Sequence, residues 1–181
     1  YSASKIAADM VVESFHRSFG LPAVTLRPFN TFGPRQSLRA VLPTIAAQLL
    51  AGETRLRLGN LTPTRDFSFV TDTAEAFIAI ASDPDDRVHG QVFNTGTGEE
   101  ISIRDAAAVI GRAVGVKVSF EIQAERQRPD KSEVERLLAD STKLRAETGW
   151  APKVDFETGI GRLVDWMRSR PDVARALVYQ K

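Results

Sequence analysis

The sequence predicts an α/β protein built on parallel strands. Short apolar runs alternate with amphipathic helical stretches, and glycines or prolines separate many of them. The first run, Ala23-Val24-Thr25-Leu26, is short and mainly apolar, as suits a buried parallel strand. The chain has 181 residues, of which 43% are hydrophobic, so it is long enough for one domain with a sizeable core.

The first predicted helix runs from Ser2 to Phe19 because apolar side chains recur at helical spacing. Gly20 follows it at the position where glycine commonly ends a helix. The apolar stripe is wide enough to predict burial on more than one side. It contains Ala3, Ile6, Ala7, Met10, Val11, Phe15 and Phe19. After the strand at 23–26, Pro28 and residues 30–34 are predicted to form a loop.

The later elements follow from the same periodicities of 3.6 for helices and 2 for strands. Helices are predicted at residues 41–50, 71–81, 102–114 and 155–168, with a short one that Asp140 or Ser141 caps and Gly149 ends. Strands are predicted at residues 56–58, 66–70, 91–94 and 118–122, and a loop at 126–135. The helix at 102 opens on a capping-box-like pair, Ser102 with Asp105 in place of the usual Glu.

Composition excludes several kinds of function. A net charge of +1 argues against nucleic acid or an anionic membrane as a partner. The absence of cysteine excludes disulfides and thiolate metal sites, and with only His16 and His89 no metal site is expected. Both histidines are expected to be structural or solvated. The chain contains no apolar run of the ~20 residues that span a bilayer and no signal-peptide pattern, so a cytoplasmic location is expected.

Tyr1 and Lys5 are the first candidates for chemistry. On a helix, residues four apart lie on the same face with Cβ atoms about 5–6 Å apart. A neighbouring ammonium favours the phenolate form of a tyrosine, which makes a general base near neutral pH. This spacing also arises by chance on many helices, where it marks only a surface pair.

The glycines of Gly96-Thr97-Gly98 do not complete a pyrophosphate-binding turn. The dinucleotide fingerprint requires a third glycine, and Ile101 occupies that place. Gly111 and Gly115 fit a helix end instead. The sequence therefore predicts no pyrophosphate loop within these residues.

Three further motifs follow the tyrosine and lysine in order. They are Arg27-Pro28-Phe29-Asn30-Thr31-Phe32-Gly33-Pro34-Arg35-Gln36, then Pro63-Thr64-Arg65-Asp66-Phe67-Ser68-Phe69-Val70-Thr71-Asp72, then Arg128-Pro129-Asp130-Lys131-Ser132-Glu133-Val134. With the Tyr-x-x-x-Lys pair, this set resembles the extended short-chain dehydrogenase/reductase family that acts on nucleotide sugars, over essentially the whole chain. Within that family, residues 37–43 and 131–134 most resemble the 4,6-dehydratases of nucleotide-linked N-acetylglucosamine, of the legionaminic acid pathway type.

The resemblance implies a division of the chain. Residues 1–36 would be the end of a dinucleotide-binding Rossmann domain, and residues 37–181 mainly a smaller α/β substrate domain, with residues 66–96 returning to the Rossmann sheet. The family's Gly-rich loop and, in the dehydratases, the acid/base carboxylates precede the tyrosine. The chain is therefore expected to be the C-terminal part of a larger enzyme and inactive alone. The resemblance also implies NAD as cofactor and a homodimer formed through the first helix.

The resemblance assigns roles residue by residue. Tyr1 would take the proton of the sugar O4 while C4 gives hydride to NAD, Lys5 would bond the nicotinamide ribose, and Pro28 would line the nicotinamide. The expected substrate contacts are Asn30, Arg65 and Arg128 near the diphosphate, Arg35 and Arg39 as weaker candidates, and Val41 and Leu58, with Ala40, at the base. Arginine offers a planar fork suited to phosphate. The plainer alternatives are an Asx turn for Asn30, solvated surface for the arginines and Glu133, and core packing for Val41, Leu58, Trp150 and Trp166.

The leading interpretation is an NAD-dependent 4,6-dehydratase of UDP- or GDP-N-acetylglucosamine. A nucleotide-sugar 4-epimerase or uronate decarboxylase is the alternative within the class, and the carboxylates expected before Tyr1 would discriminate between them. A non-catalytic nucleotide-sugar-binding scaffold is the alternative of another class. The pair of Tyr1 and Lys5 argues against a scaffold, because binding alone does not need it.

Overall fold

The computed structural model describes residues 1–83, 86–123 and 134–170, and it has the α/β architecture that the sequence predicts. The helices are α1 (Ser2–Phe19), α2 (Val41–Leu50), α3 (Val70–Ala81), α4 (Ile103–Val114), α5 (Thr142–Thr148) and α6 (Phe156–Arg168). The strands are β1 (Thr25–Pro28), β2 (Asn30–Phe32), β3 (Arg55–Leu58), β4 (Thr64–Arg65), β5 (Phe67–Phe69), β6 (Val92–Thr95), β7 (Ile101–Ser102), β8 (Ser119–Ile122) and β9 (Arg136–Leu137). One 3₁₀ turn covers Asp86–Val88.

Most strand pairs are parallel. β1 pairs with β6, β2 with β5, and β3 with β8, all in parallel register. β4 pairs antiparallel with β7 and parallel with β9, which makes a small three-stranded sheet. The segment from β5 to β6 therefore returns to the strands at 25–32, while β3 and β8 form a separate sheet. The division into two domains at residue 36 stays a prediction.

Several elements match the sequence closely. α1 and α2 have the predicted bounds, and Gly20 ends α1 in the left-handed conformation with φ of 66°. At α4 the Ser102 N-cap of the predicted capping-box-like pair is confirmed: the Ser102 hydroxyl accepts from the Asp105 amide at 3.0 Å and donates to the Asp105 carboxylate at 2.6 Å. These elements follow from local signals, because a helix and its caps are defined within a few residues of one another.

The predicted loop at residues 30–34 is wrong in its first half. Residues 30–32 form β2, whose register joins Asn30 to Phe67 and Phe32 to Phe69. Phe32 is buried, and its ring lies 5.3 to 6.2 Å from the rings of Phe67, Phe69 and Phe156. The predicted strand at 66–70 also changes, since it covers only Phe67–Phe69 and α3 begins at Val70. Pairing with a distant segment, rather than local sequence, makes residues 30–32 a strand.

The main hydrophobic core lies between α2, α4 and α6 and the strands β2, β3 and β5. Gly159 of α6 permits close contact there, because a Cβ atom at this position would lie 2.6 Å from the Phe32 ring. A second cluster contains Ala76, Ile80, Val88, Phe93, Leu144 and Trp150. Trp150 is buried, and its indole N–H donates to the Asp72 carbonyl at 3.0 Å, so the packing role predicted for it is confirmed.

The predicted burial of α1 is not met within the described chain. No residue of α1 is buried, and Ile6, Met10 and Phe19 are 64%, 53% and 77% exposed. The wide apolar stripe therefore faces outward, because the elements that the structure describes pack against little of this helix.

His16 holds the end of α1 through contacts with Leu21 and Gly90, which agrees with the structural role predicted for this histidine. Its Nδ1 lies 2.7 Å from the Leu21 carbonyl oxygen, and its ring lies against Gly90. Gly90 has a φ of 72°, and a Cβ atom there would lie 2.2 Å from His16 Nε2. Gly90 is therefore required both by the backbone conformation and by this contact.

Gly90→Ala should destabilise the fold by about 2 kcal/mol, half from the left-handed backbone and half from the displaced His16 bond. Gly20→Ala is the matched control, because Gly20 has a φ of 66° and open space around its Cβ position; we expect about 1 kcal/mol there. Urea denaturation measures both. Equal effects of the two substitutions would contradict a role for the His16 contact.

Candidate functional site

A cavity of about 680 Å³ lies where β2, the start of α2, the end of β3 and β4 converge. Its walls include five of the predicted substrate residues, which come from separate parts of the chain: Asn30, Arg39, Val41, Leu58 and Arg65. Ala40 lines it as well. The structure therefore brings most of the predicted substrate contacts together in one place.

The lining of this cavity combines cationic, polar and apolar residues. Its charged residues are Arg39 and Arg65, and the described lining residues include no carboxylate. Amides and hydroxyls come from Asn30, Thr31, Gln36, Thr44 and Asn60, and apolar surface comes from Val41, Leu42, Leu58, Pro63, Phe67 and Ile103. Such a cavity suits an elongated ligand with an anionic group and a flat or apolar portion.

Asn30 is held by a long-range contact. Its side-chain Nδ2 donates to the Asp66 carbonyl at 3.1 Å, across the β2–β5 pair. This bond spans 36 residues, so the Asn30 side chain is held by a distant part of the chain. The bond leaves the amide oxygen as an acceptor in the wall of the cavity.

Arg65 is positioned by the small sheet. One of its guanidinium nitrogens, Nη1, donates to the Thr64 carbonyl at 2.8 Å. The adjoining strands are joined by Glu100, whose carboxylate accepts from Arg136 at 2.8 to 2.9 Å and from the Thr64 hydroxyl at 2.6 Å. These hydrogen bonds, chiefly those from Arg136, hold the pKa of the Glu100 carboxyl below its ordinary value.

Asp66 organises the loops beside Arg65, a role that sequence reasoning missed. Its fully buried carboxylate accepts from the Thr97 amide at 2.9 Å, the Thr97 hydroxyl at 2.7 Å and the Gly98 amide at 2.9 Å, with Ala139 N at 3.3 Å. The Thr97 and Gly98 amides of the Gly96-Thr97-Gly98 turn are thus occupied by a carboxylate. This agrees with the prediction that the turn does not cradle a pyrophosphate.

Gln36 is a second residue of the cavity lining that the sequence analysis did not identify. Its Nε2 donates to the Thr31 carbonyl at 2.8 Å, while its Oε1 is buried and has no hydrogen-bond partner among the described residues. Gln36 ends the motif that begins at Arg27, so its position in that motif was the available signal. Gln36 is part of the cavity wall, where its Nε2 bond holds the Thr31 carbonyl.

Three predicted substrate residues differ in their placement. Arg39 is exposed and lines the cavity. Arg35 is exposed, has a φ of 70° and does not line it. Arg128 lies outside the described residues, as do residues 130–133.

Tyr1 and Lys5 lie together at the start of α1. The Lys5 ammonium is 5.4 Å from the centroid of the Tyr1 ring, which is 93% exposed. Pro28 ends β1, two residues before Asn30. Tyr1, Lys5 and Pro28 are not part of the cavity lining.

The described residues contain no group of three or more His, Asp or Glu side chains that could hold a metal ion. None of their helices combines the length and apolar character needed to cross a membrane.

Parallel strands and a cavity whose charged lining residues are arginines define an α/β protein with a cavity suited to an anionic ligand. Comparison with protein families extends this: residues 1–163 match the model of the family described as GDP-mannose 4,6 dehydratase. The chain therefore belongs to this family, within the extended short-chain dehydrogenases/reductases whose members include nucleotide-sugar 4,6-dehydratases and epimerases.

Individual relatives agree with this assignment. The chain is 33% identical, over 92% of its length, to a dTDP-glucose 4,6-dehydratase of Xanthomonas campestris pv. campestris and covers 48% of that protein. It also resembles the structure of dTDP-glucose 4,6-dehydratase from Bacillus anthracis in complex with NAD, with a TM-score of 0.85, 26% identity and coverage of 95% of this chain and 53% of that one.

An epimerase structure is as similar. The UDP-glucuronic acid 4-epimerase from Bacillus cereus, in complex with UDP-glucuronic acid and NAD, has a TM-score of 0.85 and 25% identity. The match covers 93% of this chain and 52% of the epimerase. The chain thus spans about half the length of the relatives that it matches.

Proposed function

We propose that this protein is an NAD-dependent nucleotide-sugar 4,6-dehydratase whose substrate is UDP- or GDP-N-acetylglucosamine. The observation that carries this proposal is the cavity, which joins Arg39 and Arg65 to an apolar wall and has no carboxylate among its described lining residues. A nucleotide sugar has the matching parts, namely a diphosphate, a base and a sugar rich in hydroxyls.

The roles of the chain's residues follow from this ligand. Arg65 and Arg39 bind the diphosphate, and Arg128 is proposed as a further contact on the strength of its motif. Val41 and Leu58 bound the base, and Asn30 offers an acceptor to the sugar. Arg35 is the weakest of the proposed contacts, because it lies outside the cavity lining.

The residues at the start of α1 fit a nicotinamide cofactor. Tyr1 and Lys5 are close together, and Pro28 ends the strand that leads to Asn30. NAD, when bound, supplies the hydride acceptor and donor. Tyr1 removes a proton from the sugar hydroxyl, and Lys5 stabilises the phenolate and orients the ribose.

A 4-epimerase is the second candidate. It is favoured by the similarity to the epimerase in complex with UDP-glucuronic acid, which equals that to the dehydratase. The two reactions differ in their products, because a dehydratase expels the C6 hydroxyl as water and an epimerase inverts C4.

Product analysis discriminates between the candidates. The protein expressed from its complete gene is incubated with NAD and, separately, UDP-N-acetylglucosamine and GDP-N-acetylglucosamine. We expect a 4-keto-6-deoxy product that has lost one water. An unchanged mass with inversion at C4 would establish the epimerase, and binding with no product would establish the scaffold.

We also propose that the protein is a cytoplasmic homodimer in which α1 faces its partner. The exposed Ile6 and Met10, four residues apart on one face of α1, support this interface, since apolar side chains on one helix face favour association. Sedimentation at micromolar concentration tests it, and a clean monomer would contradict it.

Arg65→Ala should weaken UDP-N-acetylglucosamine binding by about ten- to a hundredfold, because a charge-assisted hydrogen bond contributes roughly 1.5–3 kcal/mol. Arg55→Ala is the control: it removes the same charge from a surface pair with Glu121, at 3.2 Å, outside the cavity. Calorimetry with UDP measures both. Unchanged affinity in Arg65→Ala would refute the phosphate role.

A further inference from the structure

α1 carries a row of five side chains at four-residue spacing. They are Tyr1, Lys5, Asp9, Glu13 and Arg17. Residues four apart on a helix are neighbours, so each member of the row can interact with the next. Lys5 therefore lies between two competing partners, the Tyr1 phenol on one side and the Asp9 carboxylate on the other.

The structure shows how this competition is resolved. Lys5 Nζ lies 5.4 Å from the Tyr1 ring centroid, and Glu13 pairs with Arg17 at 2.8 Å. Asp9 pairs with Arg27, a residue of β1: both Nε and Nη2 of Arg27 bond to Asp9 Oδ2, at 2.8 and 2.7 Å. Within the part of the chain that the structure describes, Arg27 is a charged residue from outside α1 that bonds to this row.

We propose that Arg27 is a positioning residue for the tyrosine–lysine pair. By neutralising the Asp9 carboxylate through Oδ2, it weakens an ion pair between Asp9 and Lys5 and so leaves the Lys5 ammonium beside the Tyr1 ring. This inference rests on the proposed role of Tyr1 as the base.

The same contact places α1 on the sheet. α1 has no buried residue, so packing within the described chain constrains it weakly. Arg27 directly precedes Pro28, and Asn30 follows two residues later on β2. The Asp9–Arg27 bond therefore sets the helix face that carries Tyr1 and Lys5 against the strand that leads into the cavity.

The test uses Arg27→Gln, Asp9→Asn and the double variant, each in the protein expressed from its complete gene. The ionisation of Tyr1 is followed by phenolate absorbance, as the difference from the same protein with Tyr1→Phe. In Arg27→Gln, Asp9 is released to pair with Lys5, which draws the ammonium away from Tyr1, so the ionisation midpoint should rise above that of the unsubstituted protein. In Asp9→Asn and in the double variant the competitor is absent, so the midpoint should stay at its original value.

Restoration by the double variant separates this role from a merely structural one, because loss of the anchor alone would affect all three variants alike. An unchanged midpoint in Arg27→Gln, or a midpoint in the double variant as high as in Arg27→Gln, would overturn the inference. The absorbance needs no substrate. If Tyr1→Phe retains turnover while the Arg27→Gln midpoint rises, the proposed catalytic role fails and the positioning role stands.

Discussion

Replacing Tyr1 with phenylalanine should lower turnover of the nucleotide sugar by about 10²- to 10⁴-fold, the usual contribution of a positioned general base. The substitution removes the proposed proton acceptor and keeps the ring. Binding of the nucleotide sugar should remain nearly unchanged, because its affinity is assigned to the arginines and Tyr1 does not line the cavity.

The measurement combines steady-state turnover with calorimetry on the protein from its complete gene. Tyr179→Phe is the matched control, because Tyr179 is the other of the chain's two tyrosines and lies in no motif. Near-native turnover in Tyr1→Phe would refute the assignment of the base. A loss of binding equal to the loss of turnover would instead make Tyr1 a binding residue.

Replacing Asp66 with alanine should destabilise the fold by about 3–5 kcal/mol, a large share of the ~5–15 kcal/mol that stabilises a typical domain. The carboxylate is fully buried and accepts from Thr97, Gly98 and Ala139. Its removal leaves three amides and a hydroxyl without their acceptor. The cost of such orphaned donors exceeds the value of the bonds themselves.

Urea denaturation measures this loss. Asp66→Asn should cost about half as much, because the amide retains one acceptor oxygen but turns its N–H₂ toward a donor. Asp165→Ala is the control at an exposed aspartate, where the only contact described is a 3.5 Å pair with Arg168, and we expect no measurable change. An Asp66→Ala protein as stable as this control would contradict the organising role of Asp66.

The sequence by itself determined the helices and the family. The bounds of α1 and α2, the capping box at Ser102 and the left-handed Gly20 depend on residues within a turn of one another. The ordered motifs predicted the family. The resemblance that they carry indicated Asn30, Arg39 and Arg65 as substrate contacts, and the structure places these residues in one cavity. Local periodicity and motif order need no knowledge of distant contacts.

Tertiary structure decided what depends on distant partners. Residues 30–32 become a strand because β5 pairs with them, and Asp66 acquires its role because residues 97, 98 and 139 donate to it. Likewise Asp9 faces either Lys5 or Arg27, and only the placement of β1 against α1 selects Arg27. Each outcome depends on residues at least 18 positions apart, and pairing at such distances is set by the packing of whole elements and leaves no periodic signal in the local sequence.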